Sequence, residues 1–492
     1  MSEAVEHSRA LLLATRASDQ TPESLLSHME STTVLLSGEA DLVGGIETLG
    51  IVATTLRRMP GQLVLNPTGL ADDDLERILS AVTAIDPYRG IVVTSNPVPP
   101  GVHVHVGTQA PQGAIRSVPH RHGGHLLVDP AVVIPKPTDV SGLGVVFTAS
   151  VAAAEVFKTL AAVVPARRRS PGHIAFCPVT LGPDPARAPR LGGQEIELAI
   201  IGLGAIGTAE ALILSLLPIG GHLLVVDPQA YAPENLGTYS LGVLADAIAR
   251  PQKTVLAQRA LSHWDVEPFN GTVAELVPAI DDGLIPWPRT VMAALDEIGP
   301  RHDTQLLWPD LLIDAGTGDT SVGMHEFRPW GPCEQCAFPI RRGGPSTVDY
   351  VAQATGLAPA YLAVDALLDA ETVAQLPEHQ RNRLRPLIGT PRCSLAQALG
   401  LTQLNPDGYQ PAVPFVAQQA ACLAVGRLVA HLSALDVDVT QFQYDVLRGS
   451  DLAHAEQLAP QPDCYCQQHA TRIDKVRAVR GQQAHRSVPP RG

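Results

Sequence analysis

The chain has 492 residues, enough for two to four domains with a substantial core. Apolar residues make up 45% of it and charged residues 17%, which excludes a disordered chain, and a formal net charge of −14 excludes a general nucleic-acid binder. No uninterrupted apolar run reaches the roughly 18–20 residues of a membrane helix, the N-terminal apolar stretch is too short for a signal peptide, and seven unevenly spaced cysteines argue for reduced thiols; a cytoplasmic protein without a membrane or nucleic-acid partner is expected.

Residues 1–19 are polar and compatible with a helix. From about Ser31 the pattern reads strand (TTVLLSG), helix (GGIETLGIVATTLRRM), strand (GQLVLNP), helix (DDDLERILSAVTAI), strand (GIVVTSN) and strand (VHVHVG), closed by the helix ASVAAAEVFKTLAAVV. This first block is expected to span 1–165. Residues 166–195, rich in Pro, Gly and Arg, read as a linker in which HIAFCPV forms a short strand. A second block over 196–466 begins again with strand (ELAIIG), Gly-rich turn, helix (TAEALILSLL) and strand (HLLVVD). It carries an insertion at about 341–392 and ends in a long helix, PFVAQQAACLAVGRLVAHL. Residues 467–492, poor in apolar groups and locally basic, read as a disordered tail. The fold class is α/β, with mostly parallel, Rossmann-like sheets. The two blocks repeat one another: both run strand, turn, apolar helix, Pro/Gly break, strand, and end in Asn-Pro or Asp-Pro.

The turn Gly202-Leu203-Gly204-Ala205-Ile206-Gly207 lies between a strand and a helix. Glycines there let peptide N–H groups approach a phosphate, and the helix N-terminus adds a favourable dipole. Asp227 ends the next strand, 20 residues after Gly207, where a carboxylate can accept hydrogen bonds from ribose hydroxyls. A nucleotide site is therefore expected, and the turn alone does not separate NAD from ATP. The first block has Ser37-Gly38-Glu39-Ala40-Asp41 at the matching place; its carboxylates would repel a phosphate, so that block reads as nucleotide-free.

Beyond Asp227 the chain carries Asn235-Leu236, Lys253 in ARPQKTVLAQRAL, the run ALDEIGPR, GPCEQCAFP and PDCYCQQ. Over about Glu195–Cys466 this succession resembles the ThiF/MoeB superfamily, to which ubiquitin-activating enzymes belong, and the first block resembles the inactive partner half of such enzymes. The resemblance implies that Asp227 holds the ribose, Asn235 touches the ATP phosphates, Lys253 neutralises them, and Asp296, five residues before Arg301, serves Mg²⁺-ATP; Asp314 and Asp319 rank below Asp296. The family's arginine three residues after the Asn is replaced by Thr238, and Arg250 or an arginine of the first half is expected to stand in for it.

Cys333-x-x-Cys336 and Cys464-x-Cys466 can close one tetrahedral Zn²⁺ site, since thiolates are preferred structural zinc ligands, and the resemblance implies the same. Cys422 reads as a small core residue. Cys393 follows Arg392 and opens a helical stretch, two features that favour thiolate; the resemblance puts there the cysteine that takes an acyl group. His103 and His105 read as one exposed strand face, and PHRHGGH as a polar loop.

The expected function is adenylation, at the cost of ATP, of the C-terminal carboxylate of a small ubiquitin-like protein, sulfur carrier or peptide, followed by thioester formation on Cys393 and transfer to a conjugating protein. Alternatives are an NAD-dependent oxidoreductase and a non-catalytic adaptor. Pseudo-symmetric halves permit a monomer; a homodimer is the other expectation.

Overall fold

The protein is described by a computed structural model covering residues 8–487, apart from 99–100, 110, 129–131, 170–171, 340–346, 365, 391, 393–394, 396–412 and 436. The residues around 339–410 form one compact unit and the remainder another.

In the first half, helices α1 (Ser8–Ala17) and α2 (Pro22–Ser31) precede β1 (Thr33–Gly38), α3 (Gly45–Arg57), β2 (Gln62–Leu65), α4 (Asp72–Ile85), β3 (Val92–Val93), β4 (Val102–Val106), β5 (Ile115–His120), β6 (Gly123–Leu127), α5 (Gly142–Leu160) and β7 (His173–Phe176). The sheet runs β3-β2-β1-β4-β5-β6-β7; its first five strands are parallel, β6 runs antiparallel to β5, and β7 runs antiparallel to β6.

The second half holds β8 (Gln194–Ile201), α6 (Ala205–Ser215), β9 (Ile219–Val226), α7 (Leu244–Ala249), α8 (Lys253–Ala260), β10 (Asp265–Phe269), α9 (Val273–Asp281), β11 (Thr290–Ala293), α10 (Ile298–Gln305), β12 (Leu311–Gly318), β13 (Ser321–Phe327) and α11 (Glu334–Ala337). The separate unit contributes α12 (Thr347–Thr355), α13 (Pro359–Leu362), α14 (Ala370–Ala374) and α15 (Glu378–Leu384), packed on Leu357, Leu368, Val373 and Leu384. Then follow α16 (Pro414–Leu432), β14 (Gln441–Asp445), β15 (His454–Glu456), α17 (Tyr465–Gln468) and α18 (Ala470–Ser487). The sheet order is β10-β9-β8-β11-β12-β13-β14-β15.

The seven strands of the first sheet correspond in order to the first seven of the second, which adds β15 at its edge. In each, a central parallel pair marks a reversal of direction (β1 and β4; β8 and β11), the fifth strand is followed by an antiparallel hairpin, and a long helix leads into the next antiparallel strand. Those long helices, α5 and α16, pack on each other, with the Phe157 and Phe415 rings 5.2 Å apart, and join α3 and α6 in one core spanning both halves. A helix surrounded on all sides must be apolar all round. This explains why α5 and α16 have the length and composition of membrane spans, contrary to the expectation that no such segment exists, while 94% and 89% of them are buried inside the protein.

The short strand expected in HIAFCPV is β7, which pairs with β6, so the first sheet extends past residue 165. Two further expectations are corrected. The PHRHGGH loop is the β5–β6 hairpin; Gly123 stands where a Cβ would meet the Phe176 carbonyl oxygen at 2.1 Å, a close approach of backbones that hydropathy does not reveal. Residues 470–487 of the tail form α18. Its basic residues, which look solvated in sequence, find partners: Arg477 pairs with Asp310, and Arg480 pairs with Asp281 at 2.8 Å and donates to Leu306 O and Leu307 O at 2.9 Å each, at the C-terminal end of α10.

Candidate active site

Open α/β sheets bind ligands beyond the carboxyl ends of their strands, where the strand order reverses. In the second sheet that point lies between β8 and β11, and it is where the Gly-rich turn emerges. Gly202 has φ +88° and a Cβ there would meet Ala294 O at 2.7 Å; a Cβ on Gly207 would meet Gly202 O at 1.9 Å. Both glycines are thus required to bring α6 against β8. Gly204 caps α6, whose first intrahelical bond here is Thr208 N–H to Gly204 O at 3.0 Å. The N–H groups of Ala205, Ile206 and Gly207 precede it, as the orphan donors of a helix start.

Asp227 follows β9 and is buried. Its Oδ2 accepts from Leu203 N–H at 2.7 Å and its Oδ1 from Gln229 N–H at 2.8 Å, so the carboxylate braces the turn and keeps lone pairs for further donors. Lys253 opens α8 and is also buried; its Nζ donates to Gln229 Oε1 at 2.6 Å and lies 3.9 Å from Asp227 Oδ1 and 5.2 Å from the centre of the Tyr239 ring. Burial works against its charge, but Tyr239, Asp227 and Asp296 more than offset this and hold the ammonium protonated, its pKa raised. Asp296 is exposed in the bend after β11, and its charge is felt at both Lys253 and Asp227. Asn235 ends a short turn, Pro233–Asn235, where its Oδ1 accepts from Ala232 N–H at 2.9 Å.

Two acids are otherwise engaged. Asp314 is buried and bonded to Arg301; burial pushes it up to about 7 against the pull of that guanidinium. Asp319 pairs with Arg16 of α1. Arg250, one expected substitute for the missing arginine, is exposed at the end of α7. The other expectation finds a residue that sequence reasoning did not single out: Arg9 of α1 donates from Nη1 to Thr238 Oγ1 at 3.5 Å. No motif marks Arg9; only the packing of α1 brings it there.

The matching crevice of the first sheet is filled by its own side chains. Glu39 Oε1 accepts from Gln109 N–H at 2.7 Å, and Lys136 Nζ stands 3.7 Å from Oε2. His105 Nε2 lies 3.8 Å from Glu39 Oε1. His103 Nε2 and His105 Nδ1 each lie 2.8 Å from Ser37 Oγ, so these histidines are half-buried and buried rather than an exposed face. A carboxylate thus occupies the place that an anion would take.

The four cysteines Cys333, Cys336, Cys464 and Cys466 come together, with all Sγ atoms within 4.8 Å of one another. Neighbouring sulfurs are 3.4 Å (Cys333–Cys464), 3.6 Å (Cys336–Cys466) and 3.8 Å (Cys333–Cys336) apart. Four thiolates at about 2.3 Å from a zinc ion form a tetrahedron with edges of roughly 3.8 Å, so the donor set fits such a metal. Gln461 adds an N–H to Cys336 Sγ at 3.4 Å and an amide to Cys336 O at 2.8 Å, the outer support a thiolate site needs. Cys422 is buried in α16, as expected. Cys393 lies outside the described residues; the neighbouring Arg392 places its guanidinium 3.4 Å from the Tyr361 ring centre and 3.5 Å from Asp369.

No protein-family model matches the chain, and no curated protein matches it. Among solved structures it is similar to Escherichia coli MccB (14% identity, TM-score 0.35), over 55% of this chain and 65% of that one, a little under two thirds of its length. It is similar to the same protein solved with ATP (14% identity, TM-score 0.35, 55% and 66% covered) and to PaaA (13% identity, TM-score 0.31, 54% and 64% covered). These are low similarities over about half of the chain; the α/β, Rossmann-like assignment rests on the strand order above.

Proposed function

We propose that the protein is an ATP-dependent adenylating enzyme acting on the C-terminal carboxylate of a peptide or small ubiquitin-like or sulfur-carrier protein. The observation that carries this reading is the meeting of a buried Lys253 ammonium with Asp227 beside the glycine turn. Attack of a carboxylate on an α-phosphate brings two anions together, and the site must supply cations and N–H donors to offset their repulsion. A nicotinamide site needs the turn and Asp227 but no such lysine.

In this reading the N–H groups at 205–207 and Lys253 bind the phosphates, Asp227 accepts from the ribose hydroxyls, and Asp296 holds Mg²⁺. Arg9 takes the place of the arginine that Thr238 replaces. A carboxylate oxygen of the acceptor bonds to the α-phosphorus, the bond to the bridging oxygen of pyrophosphate breaks, and the acyl-adenylate remains. Cys393 then attacks the acyl carbon and AMP leaves. Zinc on the four cysteines fastens the C-terminal segment and takes no part in the chemistry. The first half serves as the partner surface of the second, so a monomer suffices.

The test is ATP–pyrophosphate exchange with peptides and small proteins that end in a free carboxylate. Exchange dependent on the acceptor, and abolished by C-terminal amidation, supports the reading. Absence of exchange with every acceptor, together with binding of NAD and not of Mg²⁺-ATP, overturns it.

A further inference from the structure

The loop after Asn235 is not held by its own half alone. Arg58, the C-terminal cap of α3 in the first half, is buried against it. Its Nη1 donates to Leu236 O at 2.5 Å and its Nη2 to Gly242 O at 3.0 Å. One planar fork thereby fixes two carbonyls six residues apart in a set geometry that a flexible ammonium does not impose. A second tie comes from α16, where Gln418 Nε2 donates to Thr55 Oγ1 of α3 at 3.0 Å and to Ser240 Oγ of the loop at 3.4 Å. Ser240 N–H in turn donates to Thr208 Oγ1 of α6 at 3.3 Å. Between the two clamped carbonyls stands Tyr239, whose buried ring faces the Lys253 ammonium at 5.2 Å.

We propose that Arg58 is a positioning residue of the nucleotide site: a cation of the nucleotide-free half that sets the loop 236–242 and, through Tyr239, the ammonium of Lys253. The proposal rests on reading residues 202–207, 227 and 253 as a nucleotide cradle. It predicts a directional effect. Arg58 acts on the phosphate end, through Lys253, whereas the ribose end is set by Asp227 and the N–H groups of Leu203 and Gln229.

The experiment measures the affinity of the full chain for Mg²⁺-ATP and for adenosine by calorimetry, in wild type, Arg58→Met, Lys253→Met and the double variant. Arg58→Met is expected to weaken Mg²⁺-ATP about tenfold and adenosine less than about twofold, and to add nothing to Lys253→Met. Equal losses for both ligands, or additive losses in the double variant, reduce Arg58 to a packing residue and overturn the proposal. Unchanged Mg²⁺-ATP affinity in Arg58→Met overturns it while leaving the nucleotide reading intact. A wild-type chain that binds neither ligand removes the nucleotide reading and the proposal together. If Arg58→Met does not fold, Arg58→Lys carries the test, since it keeps the charge and loses the fork: the same ATP-selective loss supports the proposal, and wild-type affinity overturns it.

Discussion

Arg9 donates to the hydroxyl oxygen of Thr238 at 3.5 Å, across 229 residues of sequence and from one half of the molecule to the other. The contact puts a permanent cation where the buried Thr238 has none of its own. Helix α1 buries Ala10, Leu13, Ala14 and Ala17 in the core, and its Arg16 pairs with Asp319. Arg9→Ala is predicted to slow pyrophosphate exchange about 10- to 1000-fold, as expected for a cation facing a phosphoryl transition state, and Arg9→Lys to recover part of the loss. Exchange within twofold of wild type in Arg9→Ala would reduce the contact to packing.

The cysteine tetrahedron is predicted to hold one zinc ion per chain, measured by elemental analysis of the purified protein. Removal by a strong chelator, or Cys466→Ser, should lower the melting temperature and open the segment after about residue 460 to proteolysis, because metal binding at such a site is folding energy. Mg²⁺-ATP affinity should survive. A metal-free chain with unchanged protease resistance contradicts this assignment.

Glu210 of α6 is fully buried, and among the described residues neither of its oxygens has a hydrogen-bond partner. Burial, with the nearby Asp314, pushes its pKa from 4.5 to about 8. The folded chain therefore keeps this proton up to about pH 8, whereas the unfolded chain releases it near 4.5. Between those values the folded state binds more protons, so this group's contribution is complete below pH 4.5 and is lost as pH rises through 8. Glu210→Gln cannot ionise. Its stability relative to wild type should rise with pH across that window, to a ceiling on the order of 4 kcal/mol, in denaturant titrations from pH 5 to 9. A pH-independent difference contradicts the burial of an unpaired acid.

Much of the fold was legible because its signals are local. Strand TTVLLSG and helix DDDLERILSAVTAI declare themselves by periodicity, and the chain's near-repeat is matched by the strand order of the two sheets. The glycine turn and Asp227 were legible because their spacing is set by one βαβ unit. What failed depends on distant partners. The β5–β6 hairpin carries glycines inside strands because other backbones crowd it, and α18 is polar because its arginines meet acids and carbonyls of α9, α10 and their flanks. Arg9 and Arg58 belong to the same class: each acts on a loop that lies far along the chain, so no local motif can show them.

A calorimetric titration of Mg²⁺-ATP into the wild-type chain and into Lys253→Met bears on the nucleotide site without intermediaries. One site per chain is expected, since Glu39 fills the crevice of the first half, with a loss of about 100-fold or more in affinity on removal of the ammonium. Binding at two sites, or equal affinity in Lys253→Met, would contradict it.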